Sequence, residues 1–113
     1  MNKRGVGKEY EQLAASALEK RGLQILEMNF QCVFGEIDII ARDENMTCFI
    51  EVKYRSNDFF GTGEEAVNAG KQHKIRKTAD YYRMTHGFGE ENDYRFDVVA
   101  IGKDKMIWHK NAF

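Results

Sequence analysis

The amino-acid sequence predicts an α/β domain, a sheet with helices packed on it. Three observations carry this. Residues 9–21 place apolar side chains at helical spacing, residues 23–54 contain strand-forming runs broken by turn residues, and a second helical pattern over 64–86 leads into the apolar run 95–101. The order helix, three strands, helix, one or two strands is buried most economically in layers.

In the first helix Tyr10, Leu13, Ala14, Ala17 and Leu18 fall at i, i+3, i+4, i+7 and i+8, which marks one face. Gly22 is the expected stop, after Lys20 and Arg21, whose charges suit a helix C-terminus. Residues 23–32 are extended. Gly35 precedes the run Glu36 to Ala41, Asp43-Glu44-Asn45 punctuates it, and Thr47 to Tyr54 resumes, so the last two strands form a hairpin. Asn57, Asp58, Gly61 and Gly63 mark a loop over 56–63. The second helix, expected over 64–86 with an interruption near Gly70, has Ala66, Val67, Ile75, Ala79 and Tyr82 as its apolar positions. A polar loop over 87–93 leads to a strand over 95–101, and the turn Gly102-Lys103-Asp104 reverses the chain into Met106-Ile107-Trp108-His109.

A chain of 113 residues is one domain's worth, and no repeat, low-complexity tract or linker divides residues 1–113. Apolar residues at 42% exclude disorder as the default, and 17 basic against 18 acidic residues, a net charge of −1, argue against a uniform electrostatic coat for nucleic acid. No stretch approaches the ~20 apolar residues of a membrane span, and the polar N-terminus lacks a signal peptide's apolar middle. Residues 1–8 read as a flexible basic arm through Lys3, Arg4 and Lys8. Cys32 and Cys48 lie in apolar-rich runs without metal-ligand spacing, and read as reduced, packed thiols of a cytoplasmic protein.

Strand alternation puts Glu36, Asp38 and Ile40 on one face, and Phe49, Glu51 and Lys53 on one face of the next strand. A hairpin symmetric about Glu44-Asn45 sets Asp38 opposite Glu51 and Glu36 opposite Lys53. Two carboxylates facing each other across a hairpin weaken it unless something offsets the repulsion. A divalent cation, a raised pKa on one acid, or a neighbouring base such as Lys53 would each serve. Carboxylates are the ligands Mg²⁺ and Mn²⁺ prefer, and Mg²⁺ keeps its remaining positions for water and phosphate. The bland alternative is a solvated face with a Glu36–Lys53 ion pair worth little.

Gly35-Glu36-Ile37-Asp38, followed by Phe49-Ile50-Glu51-Val52-Lys53-Tyr54-Arg55, resembles the D…ExK signature of the PD-(D/E)XK nuclease superfamily. More narrowly, the chain resembles the YraN family, an uncharacterised bacterial family related to archaeal Holliday junction resolvases. The likeness continues through Glu11-Gln12-Leu13-Ala14-Ala15, Phe60-Gly61, Ala66-Val67, Lys71, Ile75 and Arg95-Phe96-Asp97-Val98-Val99. The resemblance implies a restriction-endonuclease-like αβββαβ core. It also implies that Asp38 and Glu51 bind a divalent metal, Mg²⁺ or Mn²⁺, that Lys53 assists the nucleophilic water, and that Glu11 approaches from the first helix. Tyr10 replaces the glycine common before the helix glutamate, and Ile37 stands at the superfamily's proline position.

The second helix holds Lys71, Lys74, Arg76, Lys77 and Arg83 against Asp80, a net +4 over 71–83. Lysines repeating every three residues can share a face and follow a phosphate backbone, and Lys71, Lys74, Arg76, Lys77 and Arg55 are the expected nucleic-acid contacts. No base-reading motif is present, so recognition of backbone and shape is expected. His73, His86 and His109 fall on different elements and read as packing or surface residues. Asp97 reads as an acid near the site or as the ion-pair partner of Arg95 or Lys53. Tyr81 and Tyr82, adjacent on a helix, cannot both face the core, so one is free to contact a base or sugar or to pack at the helix edge.

Together these features lead to an expected metal-dependent endonuclease acting on structured or branched DNA. A homodimer is expected by analogy, with no membrane association and no small-molecule cofactor. A non-catalytic nucleic-acid-binding module of the same fold is the rival, and a structural domain without nucleic acid the third reading.

Overall fold

A computed structural model of the chain describes residues 3–55, 67–87 and 93–113. The expected loop over 56–63, the start of the expected second helix including Ala66, and residues 88–92 lie outside the described residues. The elements are α1 (Lys3–Lys20), β1 (Gln24–Cys32), β2 (Gly35–Asp43), β3 (Met46–Tyr54), α2 (Ala69–Thr85), β4 (Tyr94–Ile101) and β5 (Met106–His109). This is the expected α/β order. The strands form one mixed sheet ordered β1-β2-β3-β4-β5, in which only β3 and β4 are parallel. A parallel pair needs a crossover, and α2 lies within it.

The sheet separates two apolar layers. Ala14, Ala15 and Leu18 of α1 pack on Ile39, Cys48, Ile50, Val99 and their neighbours. Ile75, Ala79 and Tyr82 of α2 pack on Ile40, Phe49, Phe96 and Val98. Several expectations are corrected. The helix begins at Lys3, ahead of the expected start near Glu9, so residues 3–8 belong to its first turns. Leu13, placed by periodicity on the buried face, is 58% exposed, because the face that meets the sheet is centred on Ala14 and Leu18. Gly70 does not interrupt α2; it lies in the first turn, where the Asn68 side chain caps the helix by accepting from the Lys71 N–H at 2.9 Å.

The β1–β2 connection is also a hairpin, turning through Val33-Phe34 between paired Cys32 and Gly35. Gly35 has φ +152°, and a Cβ there would come within 3.2 Å of Thr78 Oγ1, so glycine lets this turn press against α2. Within the hairpin, Met28 and Ile39 face the α1 layer while Phe30 and Ile37 face the α2 layer. Strict alternation would put all four on one face. The switch falls at Asn29, whose φ of +53° is a conformation that asparagine tolerates better than most residues. Across from it in the register lies Asp38.

Candidate functional site

The β2–β3 hairpin has the expected register, running from Asp43 opposite Met46 to Ile39 opposite Ile50. Regular pairing stops there, just before Asp38 and Glu51. Instead Asp38 Oδ2 accepts the Val52 N–H at 2.9 Å, so a side chain replaces a ladder bond and the strands separate around the two acids. Asp38 is half-buried and Glu51 is 4% exposed.

Lys71, from the first turn of α2, places its Nζ 3.4 Å from Glu51 Oε1, while the buried Oε2 has no hydrogen-bond partner. Burial and then the neighbouring Asp38 carboxylate push the Glu51 pKa up to about 9, against the pull of Lys71 and Lys53. At neutral pH the site therefore holds a proton that a cation would displace. Burial first, then the Lys71 charge, lowers the Lys53 pKa. Burial opposes the charge on Lys71 too, but Glu51 and its other neighbours outweigh it and the pKa is raised.

Asp38, Glu51 and Lys71 line a cavity of about 460 Å³ whose walls also include Gly35, Glu36 and Lys74; Lys53 is not among its lining residues. A second cavity of about 590 Å³ is walled by Lys8, Glu11, Asn29, Gln31, Glu36 and Asp38. Glu36 and Asp38 belong to both, so Asp38 stands where the two meet. Glu11 accepts a hydrogen bond from Asn29 Nδ2, which also donates to Glu36 Oε1 at 3.2 Å. Burial raises the Glu11 pKa and the Asn29 bond lowers it, with Asp38 and Glu36 adding to the rise. Glu11, expected to approach a metal from the first helix, lines the second cavity together with Asp38, and Asn29 ties it to Glu36. Asn29 was not singled out by sequence; an asparagine in the middle of a strand-forming run was its only signal.

The alternative Glu36–Lys53 ion pair is not formed among the described residues; Glu36 pairs with Asn29 and Lys53 lies beside Lys71. Of the basic residues, Lys71 and Lys74 face the cleft. Lys77 lies 5.8 Å from the centroid of the Phe34 ring. Arg76 points elsewhere, stacked over Phe96 at 4.8 Å and Phe113 at 5.5 Å, because a residue two places from Lys74 falls on another side of the helix. Arg55 follows the end of β3, with its N–H on Ile101 O at 2.8 Å, and is not among the residues lining either cavity.

Asp97 is structural. Fully buried, it accepts from Arg95 Nε, Trp108 Nε1 and the Asn111 N–H at 2.9 to 3.1 Å. Tyr82 is the core tyrosine and Tyr81 the outward one. His73 is exposed, the His86 ring stacks on Tyr82, and His109 lies on β5, so the three make no set. Cys32 and Cys48 are free thiols, and burial pushes Cys48 up to about 12.

Among the described residues no group of three or more His, Cys, Asp and Glu side chains forms a metal cage. The donors present are of a different kind. Two carboxylates, one with a buried unpartnered oxygen, fit Mg²⁺ or Mn²⁺, which bind through one or two protein carboxylates and complete their shells with water and phosphate. No described helix is long and apolar enough to cross a membrane.

Comparison with known proteins agrees with the resemblance seen in the sequence. The profile of the uncharacterised protein family UPF0102 matches residues 10–101. A UPF0102 protein of Lachnoclostridium phytofermentans is 44% identical over 113 residues, covering 100% of this chain and 96% of that protein. One from Thermodesulfovibrio yellowstonii is 48% identical over 108 residues, covering 96% and 95%. A third, from Vibrio parahaemolyticus, is 42% identical over 114 residues, covering 98% and 93%.

Proposed function

Starting from its membership of the UPF0102 (YraN) family, to which this chain belongs, we propose that the protein is a metal-dependent endonuclease acting on structured or branched DNA. The observation that carries the reading is Glu51: a carboxylate buried beside a second carboxylate, with one oxygen unpartnered, in a cleft that Lys71 and Lys74 also line. A fold that needed only stability would pair such a group or replace it.

In this reading Asp38 and Glu51 hold the cation, which when bound supplies Lewis-acid polarisation of a phosphate oxygen. The Val52 N–H fixes one Asp38 oxygen and leaves the other for the ligand role. Lys53 Nζ, whose pKa is lowered by burial and by the Lys71 charge, orients water and gives up its proton more readily than a solvated lysine. Lys71 and Lys74 draw the phosphate backbone over the cleft, and Glu11 maintains the field around Asp38 from the other cavity. Cutting two strands of a branched substrate calls for two such clefts, which a two-fold dimer would supply.

The Lys71–Glu51 contact favours a second reading, a binding module that does not cleave, because an ammonium already lies beside one of the cation's ligands. Incubating duplex, single-stranded, flap and four-way DNA with Mg²⁺ or Mn²⁺ separates the two. Metal-dependent cleavage of a branched substrate, reduced roughly 100-fold or more by Asp38→Asn and by Lys53→Ala, is expected. Binding without metal-dependent cleavage would sink the enzyme and promote the module.

A further inference from the structure

We propose that the β1–β2 turn and the outer face of α2 form a nucleobase-stacking site beside the carboxylate cleft, with Phe34 as its platform. Its occupant is an unpaired base of the bound strand. The inference rests on the nucleic-acid reading above and specifies which feature of the substrate the protein distinguishes.

The turn presents Val33, 89% exposed, and Phe34, 45% exposed; across from them Met84 of α2 is 71% exposed. Apolar side chains gathered at a turn tip gain nothing from water. Tyr81 meets the Phe34 ring nearly edge-on, with centroids 6.3 Å apart. With Lys77, Asp80 and Met84, the two rings line an open cavity of about 330 Å³. Asp80 is the one acid there, and it lies 3.7 Å from Arg83, which offsets it.

Two features point to a base. The first is charge: Lys77 Nζ lies 5.8 Å from the Phe34 centroid, so the platform carries a cation able to hold the phosphate of a nucleotide stacked on the ring. The second is continuity with the cleft. Gly35, the residue after Phe34, lines the cleft together with Lys74, and Lys77 is one helical turn further along α2. From Lys71 to Lys77 the helix rises about 9 Å at 1.5 Å per residue. A strand rising about 3.4 Å per nucleotide covers that in two to three steps. Close contact between Gly35 and α2 holds the turn in place, so the platform is fixed before a substrate arrives.

A paired base within a duplex has both faces covered by its neighbours. Only a base at a fork, flap or junction can be splayed onto Phe34, and base–aromatic stacking is tolerant of sequence. The site therefore confers a preference for unpaired structure without a base-reading motif.

The test uses the intact protein without added metal at low salt, with duplex and forked DNA of equal length. The forks carry 2-aminopurine at successive unpaired positions, whose emission falls on stacking. Wild type is expected to bind the fork more tightly and quench the probe within a few nucleotides of the branch. Phe34→Leu, which keeps an apolar side chain and the fold, should lose about 5- to 10-fold in fork affinity, with the quenching, and nothing in duplex affinity; Phe34→Trp should restore both. Fork affinity and quenching unchanged in Phe34→Leu would overturn the stacking site and leave the patch to a protein partner. Equal losses on fork and duplex would overturn it in favour of general packing. Failure of wild type to bind either DNA would overturn the nucleic-acid reading itself, and stacking with it.

Discussion

Two buried carboxylates lie one ladder step from each other in this sheet and receive opposite treatment. Asp97 of β4 pairs with Ile50 of β3, and Glu51 follows Ile50, so the two acids project to opposite faces. On the α1 side, Asp97 is enclosed by Arg95, Trp108 and the Asn111 backbone, and Arg95 is tied in turn to Asp43 at 3.0 Å. On the α2 side Glu51 has one lysine at 3.4 Å, an unpartnered oxygen and a second carboxylate for a neighbour. Burial is the same; satisfaction is not. A buried acid with its partners present holds the fold together, whereas one left short of partners, in a cleft, marks a place built to receive something.

Removing each acid should break that symmetry. Asp97→Ala should cost the largest amount, about 3–5 kcal/mol in urea unfolding, because it leaves Arg95 with Asp43 as its remaining carboxylate and takes the acceptor from Trp108 Nε1 and the Asn111 N–H. Glu51→Gln should act in the other direction. The folded pKa of Glu51, about 9, lies above its ordinary 4.5, so the stability linked to its proton is complete below the ordinary value and is lost as pH rises through about 9. Removing the charge should therefore stabilise the protein near pH 9 by on the order of 1 kcal/mol, or about 4–8 °C in melting temperature, and much less at pH 5. Equal shifts at both pH values would show that Glu51 does not bear this strain.

Smaller changes sharpen the contrast. Lys71→Ala should tighten Mn²⁺ binding a few-fold, since it removes a competing cation from Glu51, while weakening DNA binding and its salt dependence. Binding of Mn²⁺ is read from its electron paramagnetic resonance and binding of DNA from anisotropy. Asn29→Ala should have the smallest effect on the cleft itself: it releases Glu11 and Glu36 but leaves Glu51 untouched, so metal affinity should fall only about two- to three-fold in the same resonance titration.

The hairpin register was legible because the Glu44-Asn45 turn and the flanking apolar residues act locally, and Ile39 does meet Ile50. The separation of the strands immediately beyond that pair was not legible. Asp38 takes the Val52 N–H through its side chain, a choice that periodicity does not encode. The basic character of α2 was equally plain, but which cations share a face depends on how the helix is seated. Lys71 turns to Glu51 and Arg76 to the Phe96 and Phe113 rings. Asn29 was missed because its role arises from a backbone twist that brings α1, β1 and β2 together, and no single segment contains it.

The unsatisfied state of Glu51 is the centre of this contrast, and calorimetric titration of the protein with Mg²⁺ at pH 7.5, repeated in buffers of different ionisation enthalpy, measures it most directly. Because a cation must displace the proton that the folded site holds at this pH, binding should release close to one proton per site. The affinity should rise with pH towards 9, and Glu51→Gln should abolish the release. An affinity indifferent to pH, with no proton released and no change in Glu51→Gln, would contradict it.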